Sequence, residues 1–150
     1  MSSFEIRSVT LADVMDNPRF GQLIADYARE CANPGMGVPN PNREQYEAME
    51  KVGMFYLLGA YRGDEMVGFV TYLLTPMAHF SNTAATVESL FLDPRCRHGL
   101  LGVRLIKAAL KQAKSFGAKG LYLSAPSGSQ LEKLANALHF KQTNVVFFAS

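Results

Sequence analysis

TVESLFLDPRCRHGLLGVRLIKAALKQAKSF, Thr86 to Phe116, passes from a strand pattern through a breaker-rich turn into a helical one. Ala84–Leu92 is apolar on both faces except at Glu88, as a central strand is. Asp93–Gly102 forms a turn, and Leu101–Phe116 a helix that stops at Gly117. A strand that feeds a glycine turn into a helix leaves convergent, unpaired N–H groups at the positive end of the helix dipole. This turn therefore reads as a cradle for the pyrophosphate of a nucleotide-type cofactor. Its donors are the amides of His98, Gly99, Leu100, Leu101, Gly102 and Val103, with the Arg95 and Arg97 guanidiniums placed to add to them. Along the helix, Leu101, Leu105, Ala109, Ala113 and Phe116 make one apolar stripe. Arg104, Lys107, Lys111 and Lys114 make a basic one, which reads either as a solvated surface or as positive potential for a phosphorylated ligand or acidic partner.

Outward from this stretch the elements fall into a mixed α/β order. Phe4–Val9 alternates as a strand, and Thr10 with Asp13 forms a capping-box pair for a short helix to about Met15. Arg19–Cys31 is an amphipathic helix, and Arg43–Val52 a short polar one. Met54–Tyr61 and Met66–Leu74 flank the turn at Arg62–Glu65 as a hairpin. Leu121–Ala125 is a short strand, Ser127–Leu138 a helix, and Phe140–Phe148 a final strand. The fold class is α/β, an α+β mixed sheet of about six to seven strands with four to five helices on its faces. Ala32–Asn42 is too rich in proline, glycine and asparagine for a regular element, and reads as a connector or a substrate-recognition loop.

The 150 residues make one domain, 1–150, with 48% hydrophobic and 19% charged residues, an ordinary globular balance. Cys31, Cys96 and the three histidines (His79, His98, His139) lack metal-ligand spacing, so no metal is expected. No run of eighteen apolar residues and no signal-peptide pattern occurs, so the expected location is cytoplasmic, without a membrane partner. The net charge of +2 hides an asymmetry: residues 1–92 carry −5 and residues 93–150 carry +7. A net +2 without interleaved aromatics argues against nucleic acid.

Val87 to Ile106 resembles the acetyl-CoA-binding core of the GNAT (GCN5-related) N-acetyltransferases, whose turn has the pattern Arg/Gln-x-x-Gly-x-Gly/Ala. Arg97 and Gly102 match; Leu100 stands at the middle glycine, with Gly99 one place early. Tyr61–Val70 is similar to the family's second hairpin, and Glu132–Phe140 to its last helix and Gly-Phe, with His139 replacing the glycine. The resemblance implies the GNAT fold and direct transfer of an acetyl group from acetyl-CoA to an amine, a small cationic molecule or a protein amine. It also implies pantetheine contacts from the backbone of the Leu90-Phe91-Leu92 segment, with a nearby N–H as oxyanion donor. The tyrosine that commonly protonates the thiolate is absent, since its position is Ala135.

A protonated amine cannot attack a thioester, so a base is needed, and Glu88 is the candidate. The strand pattern sets it on the face of Leu90 and Leu92, where apolar neighbours raise a carboxyl pKa, and the resemblance implies a glutamate here. The other reading of Glu88 is a structural glutamate with a buried partner. Tyr27, Tyr46, Tyr56 and Tyr61 read as packing or as an acceptor pocket, and His79 as a surface histidine or an alternative base. Glu30, Glu44, Glu47 and Glu50 flank the 32–42 loop and suit a cationic acceptor. The alternative function is a non-catalytic acetyl-CoA-binding or protein-interaction module. The apolar C-terminal strand either completes the sheet or pairs with a second copy as a homodimer.

Overall fold

In a computed structural model, residues 3–150 are described. The elements are β1 (Phe4–Val9), α1 (Leu11–Val14), α2 (Pro18–Glu30), α3 (Arg43–Lys51), β2 (Phe55–Arg62), β3 (Glu65–Met77), β4 (Asn82–Leu92), α4 (Leu101–Ser115), β5 (Ala118–Tyr122) and α5 (Gln130–Ala137). The strands form one sheet in the order β1-β2-β3-β4-β5, antiparallel except for the parallel β4–β5 pair. The mixed α/β expectation holds, with five strands rather than six or seven among the described residues.

Local chemistry explains the helix starts. Thr10 and Asp13 form the expected reciprocal capping box. Asn17, Asn42 and Ser129 cap α2, α3 and α5 by accepting backbone N–H groups. Each face of the sheet then has its own core. Leu105, Ala109 and Ala113 of α4 pack with Leu58, Val70, Tyr72 and Val87 on one face. Leu11, Phe20 and Leu23 pack with Leu57, Met66, Phe69 and Phe91 on the other, under α1 and α2. The Tyr72 hydroxyl donates to Gln112 Oε1 at 2.7 Å, and Gln112 Nε2 to Ser8 Oγ at 2.9 Å, tying α4 across three strands. Gly68 lets β3 and β4 approach closely, since a Cβ there would lie 2.4 Å from Leu92 Cδ2 and 2.7 Å from the Phe91 carbonyl oxygen.

Two expectations need correction. The short strand lies at Ala118–Tyr122, three residues earlier than its apolar pattern indicated, because Thr83 of β4 already pairs with Ala118. The final strand over Phe140–Phe148 is not formed: residues 140–150 carry no regular structure, and Val145–Phe148 are exposed. Strand propensity expresses packing against neighbours, and here no ladder partner meets this segment.

The end of β4 is bolted to α2. Asp93 is buried and accepts Arg19 and Arg95 guanidinium donors, each at 2.6 Å, while Arg19 Nε donates to the Met66 carbonyl at 2.9 Å. The Arg95 hydrogen bond, ahead of the Arg19 one, holds the Asp93 carboxyl well below the usual carboxylate range against the opposing cost of burial. A depressed folded-state pKa gives stability that is present above the unfolded value of about 3.9 and lost as pH falls through the folded value. Asp93→Asn is expected to cost about 2 kcal/mol at pH 7, less than the roughly 3–5 kcal/mol of a fully buried pair because the Arg95 side is solvated. The gap from wild type should narrow as pH falls below about 4 in urea unfolding curves, and a pH-independent gap would contradict it.

Candidate active site

The site is organised by an irregularity in β4. Tyr72 pairs with Val87 and Thr71 with Ser89, so Glu88 is an extra residue opposite β3, a β-bulge. Two buried hydroxyls hold it: Thr71 Oγ1 lies 2.5 Å from Ser89 Oγ and accepts the Ser89 N–H at 3.1 Å. The bulge shifts the strand's phase. Ala85 and Val87 face the α4 core before it, and Leu90 and Leu92 do so after it. Glu88 is thereby separated from Leu90 and Leu92, contrary to simple alternation, and turns towards α3.

There the Tyr46 hydroxyl donates to Glu88 Oε1 at 2.5 Å. Tyr46 packs edge-on against Phe55 at 4.9 Å between centroids, and Tyr27 similarly against Phe69 at 6.0 Å. Glu88 keeps an exposed edge, yet desolvation by its surroundings pushes its carboxyl pKa up, and the Tyr46 hydrogen bond only partly opposes this. Burial also pushes up the phenols of Tyr27 and Tyr46, with the Glu88 charge adding to both, so both are neutral donors. Tyr56 and Tyr61 are elsewhere: Tyr56 stacks on Tyr72 beneath α4, and Tyr61 lies under Arg7. His79 sits against Phe80 at the far hairpin, and Cys96 is buried in the α4 core.

Beside the bulge, β4 also parts from β5. Pairing runs from Thr83–Ala118 to Thr86–Tyr122 and stops, leaving residues 87–92 with a free edge. The Asp93 N–H donates to Val67 of β3, so the Leu92 peptide groups face the open side, where the Leu92 carbonyl accepts Arg97 Nε at 2.8 Å. Alternation sets the Leu90 peptide groups on the same open side. Phe91 differs: its ring is buried against Phe69 and its backbone faces β3.

Beyond Leu92 the chain makes a 3-10 turn over Pro94–Cys96 and enters α4 through His98, Gly99 and Leu100, all exposed. Gly99 has φ +127°, a conformation that excludes side chains, which explains the displaced glycine. Leu100 occupies the N-cap without any side-chain cap, and no acidic residue follows in the first turn. The amides of Leu101, Gly102 and Val103 therefore have no capping acceptor and are free for an anion. Leu101 anchors the helix in the core, and Gly102 sits beneath Leu92 and Leu134. The two arginines do not point into this cradle. Arg95 is engaged by Asp93, and the Arg97 guanidinium donates to Glu30 at 2.8 Å while lying 5.1 Å from the Phe91 ring centroid.

Glu88, Tyr46 and Tyr27 thus lie on one side of the open β4 edge, and the uncapped α4 start lies at its end. Two shallow surface depressions, of about 400 and 370 Å3, lie along the outer side of α2 and at the β3–β4 hairpin, away from Glu88. Sequence reasoning reached Glu88 but missed Tyr46 as its partner and Glu30 as the partner of Arg97, because long-range pairs leave no local signal. Among the described residues no three His, Cys, Asp or Glu side chains converge as metal ligands, and no helix is long and apolar enough to cross a membrane.

A family model described as acetyltransferase (GNAT) family matches residues 22–140. No curated protein matches the sequence. Among solved structures, a transcriptional regulator from Bacillus halodurans C-125 is similar at TM-score 0.78 and 20% identity, covering 99% of each chain. Ribosomal-protein-alanine N-acetyltransferase from Brucella melitensis biovar Abortus 2308 is similar at TM-score 0.73 and 19% identity, covering 99% of this chain and 98% of its own. An aminoglycoside acetyltransferase from an uncultured soil metagenomic sample, in complex with trehalose, is similar at TM-score 0.73 and 20% identity, covering 98% and 95% respectively. At these identities the likeness is one of fold.

Because the Tyr46 hydrogen bond lowers the Glu88 pKa, Tyr46→Phe should raise the Glu88 titration midpoint above its wild-type value. Carbon-detected NMR titration of the side-chain carboxyl reads this directly, and an unchanged or lower midpoint would show that the bond does not form in solution.

Proposed function

Because the chain belongs to the acetyltransferase (GNAT) family, we propose that it moves an acetyl group from acetyl-CoA directly to an amine acceptor, with Glu88 as general base. The observation that carries this reading is the placement of a desolvated carboxylate beside an unpaired strand edge that ends at an uncapped helix. The chain's own groups suit acetyl-CoA as the co-substrate. Leu90 and Leu92 offer main-chain donors and acceptors to an amide-bearing arm, and the first amides of α4 offer an anion site to a pyrophosphate. Arg97, on the Leu92 carbonyl in the free protein, shares that edge with the arm.

In the proposed reaction a protonated amine loses a proton to Glu88, directly or through a water. Its nitrogen then attacks the thioester carbonyl, and main-chain N–H on the β4 edge stabilises the oxyanion. The C–S bond breaks, the nitrogen gives its second proton to solvent as the amide forms, and the thiolate takes a proton from solvent, consistent with a thiol pKa of about 8.5 and with Ala135 at the family's tyrosine position. Tyr46 holds the Glu88 carboxyl towards the acceptor side. The expected acidic surround is thinner than composition suggested: Glu30 pairs with Arg97, Glu47 with Arg43, and Glu50 accepts the Leu11 N–H. Attraction of a cationic acceptor then falls on Glu88 and Glu44. One structural neighbour is named for aminoglycosides and another for a ribosomal-protein alanine, so a small amine and a protein amine both stand as acceptor classes.

The test is thiol release from acetyl-CoA with a panel of amines, with products identified by mass spectrometry. Wild type should show an acidic limb in kcat/KM with a midpoint above the ordinary glutamate value of about 4.3, rising with pH as Glu88 deprotonates. Glu88→Gln should lose that limb and about 10²–10³ in rate. Wild-type turnover by Glu88→Gln across pH would remove Glu88 as the base. Acetyl-CoA binding without thiol release on any amine would favour the non-catalytic module.

A further inference from the structure

The Arg97 guanidinium sits in a small receptor for a cation. Its Nη2 donates to Glu30 Oε2 at 2.8 Å, its Nε donates to the Leu92 carbonyl at 2.8 Å, and its central carbon lies 5.1 Å from the Phe91 ring centroid. A carboxylate, a carbonyl oxygen and an aromatic face together suit any organic cation, not this one alone. Glu30 is the last residue of α2, where the negative end of the helix dipole adds to its charge. The receptor also adjoins the proposed base. Phe91 stacks with Phe69 at 6.3 Å, Phe69 meets Tyr27 at 6.0 Å, and the charge of Glu88 acts on the Tyr27 phenol. Tyr27 and Glu30 are one turn of α2 apart, about 4.5 Å of axial rise. Glu88 and Glu30 thus mark two anionic points on the α2 side of the β4 edge, with aromatic rings between them. One contact of Arg97 lies on the cofactor's path: the Leu92 carbonyl is on the free edge of β4, where the pantetheine arm would run. Without that contact Arg97 keeps only a half-exposed ion pair, which water and competing cations release readily.

Given the acetyl-transfer reading, on which this rests, we propose that the Arg97 guanidinium is an internal stand-in for the second positive charge of a di- or polycationic acceptor. The pantetheine arm displaces it from Leu92. Glu30 and the Phe91 face then receive one cationic group of the acceptor, while the amine to be acetylated meets Glu88. Glu30 is thereby a specificity-determining residue, masked until the cofactor is in place. The acceptor class that fits carries at least two positive charges joined by an apolar stretch that lies along the aromatic rings. A monoamine gains nothing from Glu30. Cofactor and polycation both act against the same closed state of Arg97, so each strengthens the binding of the other.

Isothermal titration calorimetry with coenzyme A and with spermidine tests both halves. Glu30→Gln and Arg97→Ala should each bind coenzyme A about two- to fivefold more tightly than wild type, because neither holds the closed state. The double variant should bind it no more tightly than Arg97→Ala. On wild type, saturating coenzyme A should strengthen spermidine binding about three- to fivefold, and n-butylamine, with one charge, should show no such gain. Glu30→Gln should abolish the gain, and Arg97→Ala should bind spermidine with the stronger affinity whether or not coenzyme A is present. Circular dichroism checks that the variants fold; should one unfold, the wild-type comparison of spermidine with n-butylamine decides. Coenzyme A binding that is unchanged or weaker in Arg97→Ala would overturn the proposal. So would spermidine binding that is absent, that ignores coenzyme A, or that keeps its gain in Glu30→Gln. Failure of coenzyme A to bind wild type would instead remove the acetyl-transfer reading, and this proposal with it.

Discussion

The one extra residue in β4 governs the rest of the site. Without the bulge at Glu88, strand alternation would run unbroken from Ala85 to Leu92, and Glu88 would share a face with Leu90 and Leu92. The bulge turns a carboxylate towards α3 and re-aims the last residues of the strand, leaving the Leu90 and Leu92 peptide groups on a free edge. Its support is local: two buried hydroxyls, Thr71 and Ser89, satisfy each other and the displaced Ser89 amide. A bulge with unpaired buried polar groups would cost roughly 1–3 kcal/mol per group. Here none of the described buried side-chain polar atoms is left without a partner.

The environment of Glu88 shows how packing sets chemistry. Tyr46 is fixed by its edge-on contact with Phe55, and its hydroxyl therefore arrives at the carboxylate from a set direction. Desolvation and hydrogen bonding act on Glu88 with opposite sign, and desolvation wins. Asp93, five residues on and at least as buried, goes the other way, because two guanidiniums grip it. The same residue class thus has its carboxyl pKa raised within β4 and lowered just beyond the strand's end.

The legible part of the fold was the part with local causes. The Thr10–Asp13 capping box, the hairpin glycine turn, the periodicity of α4 and the breakers of the turn before it each act within a few residues of themselves. Pairings over long separations were invisible: Tyr46 to Glu88, Glu30 to Arg97, and Arg104 to the Phe4 carbonyl, which takes one member out of the basic stripe on α4. The phase shift at Glu88 was invisible for another reason, since a bulge changes the face of every later residue without changing composition. His139 is instructive here. It adopts φ +62° after α5, a left-handed turn of the kind that glycine makes freely. The C-terminal run misled because strand propensity is expressed only against a ladder partner, and none meets it among the described residues.

Arg97 joins the end of β4 to the C-terminal end of α2, through the Leu92 carbonyl and Glu30. Both charged partners are about two-fifths exposed, so the ion pair is worth at most about 1 kcal/mol. That is a ratio of roughly five between closed and open forms. The end of α2 is therefore tied to the end of β4 by a fastener weak enough to release and re-form continually on its own.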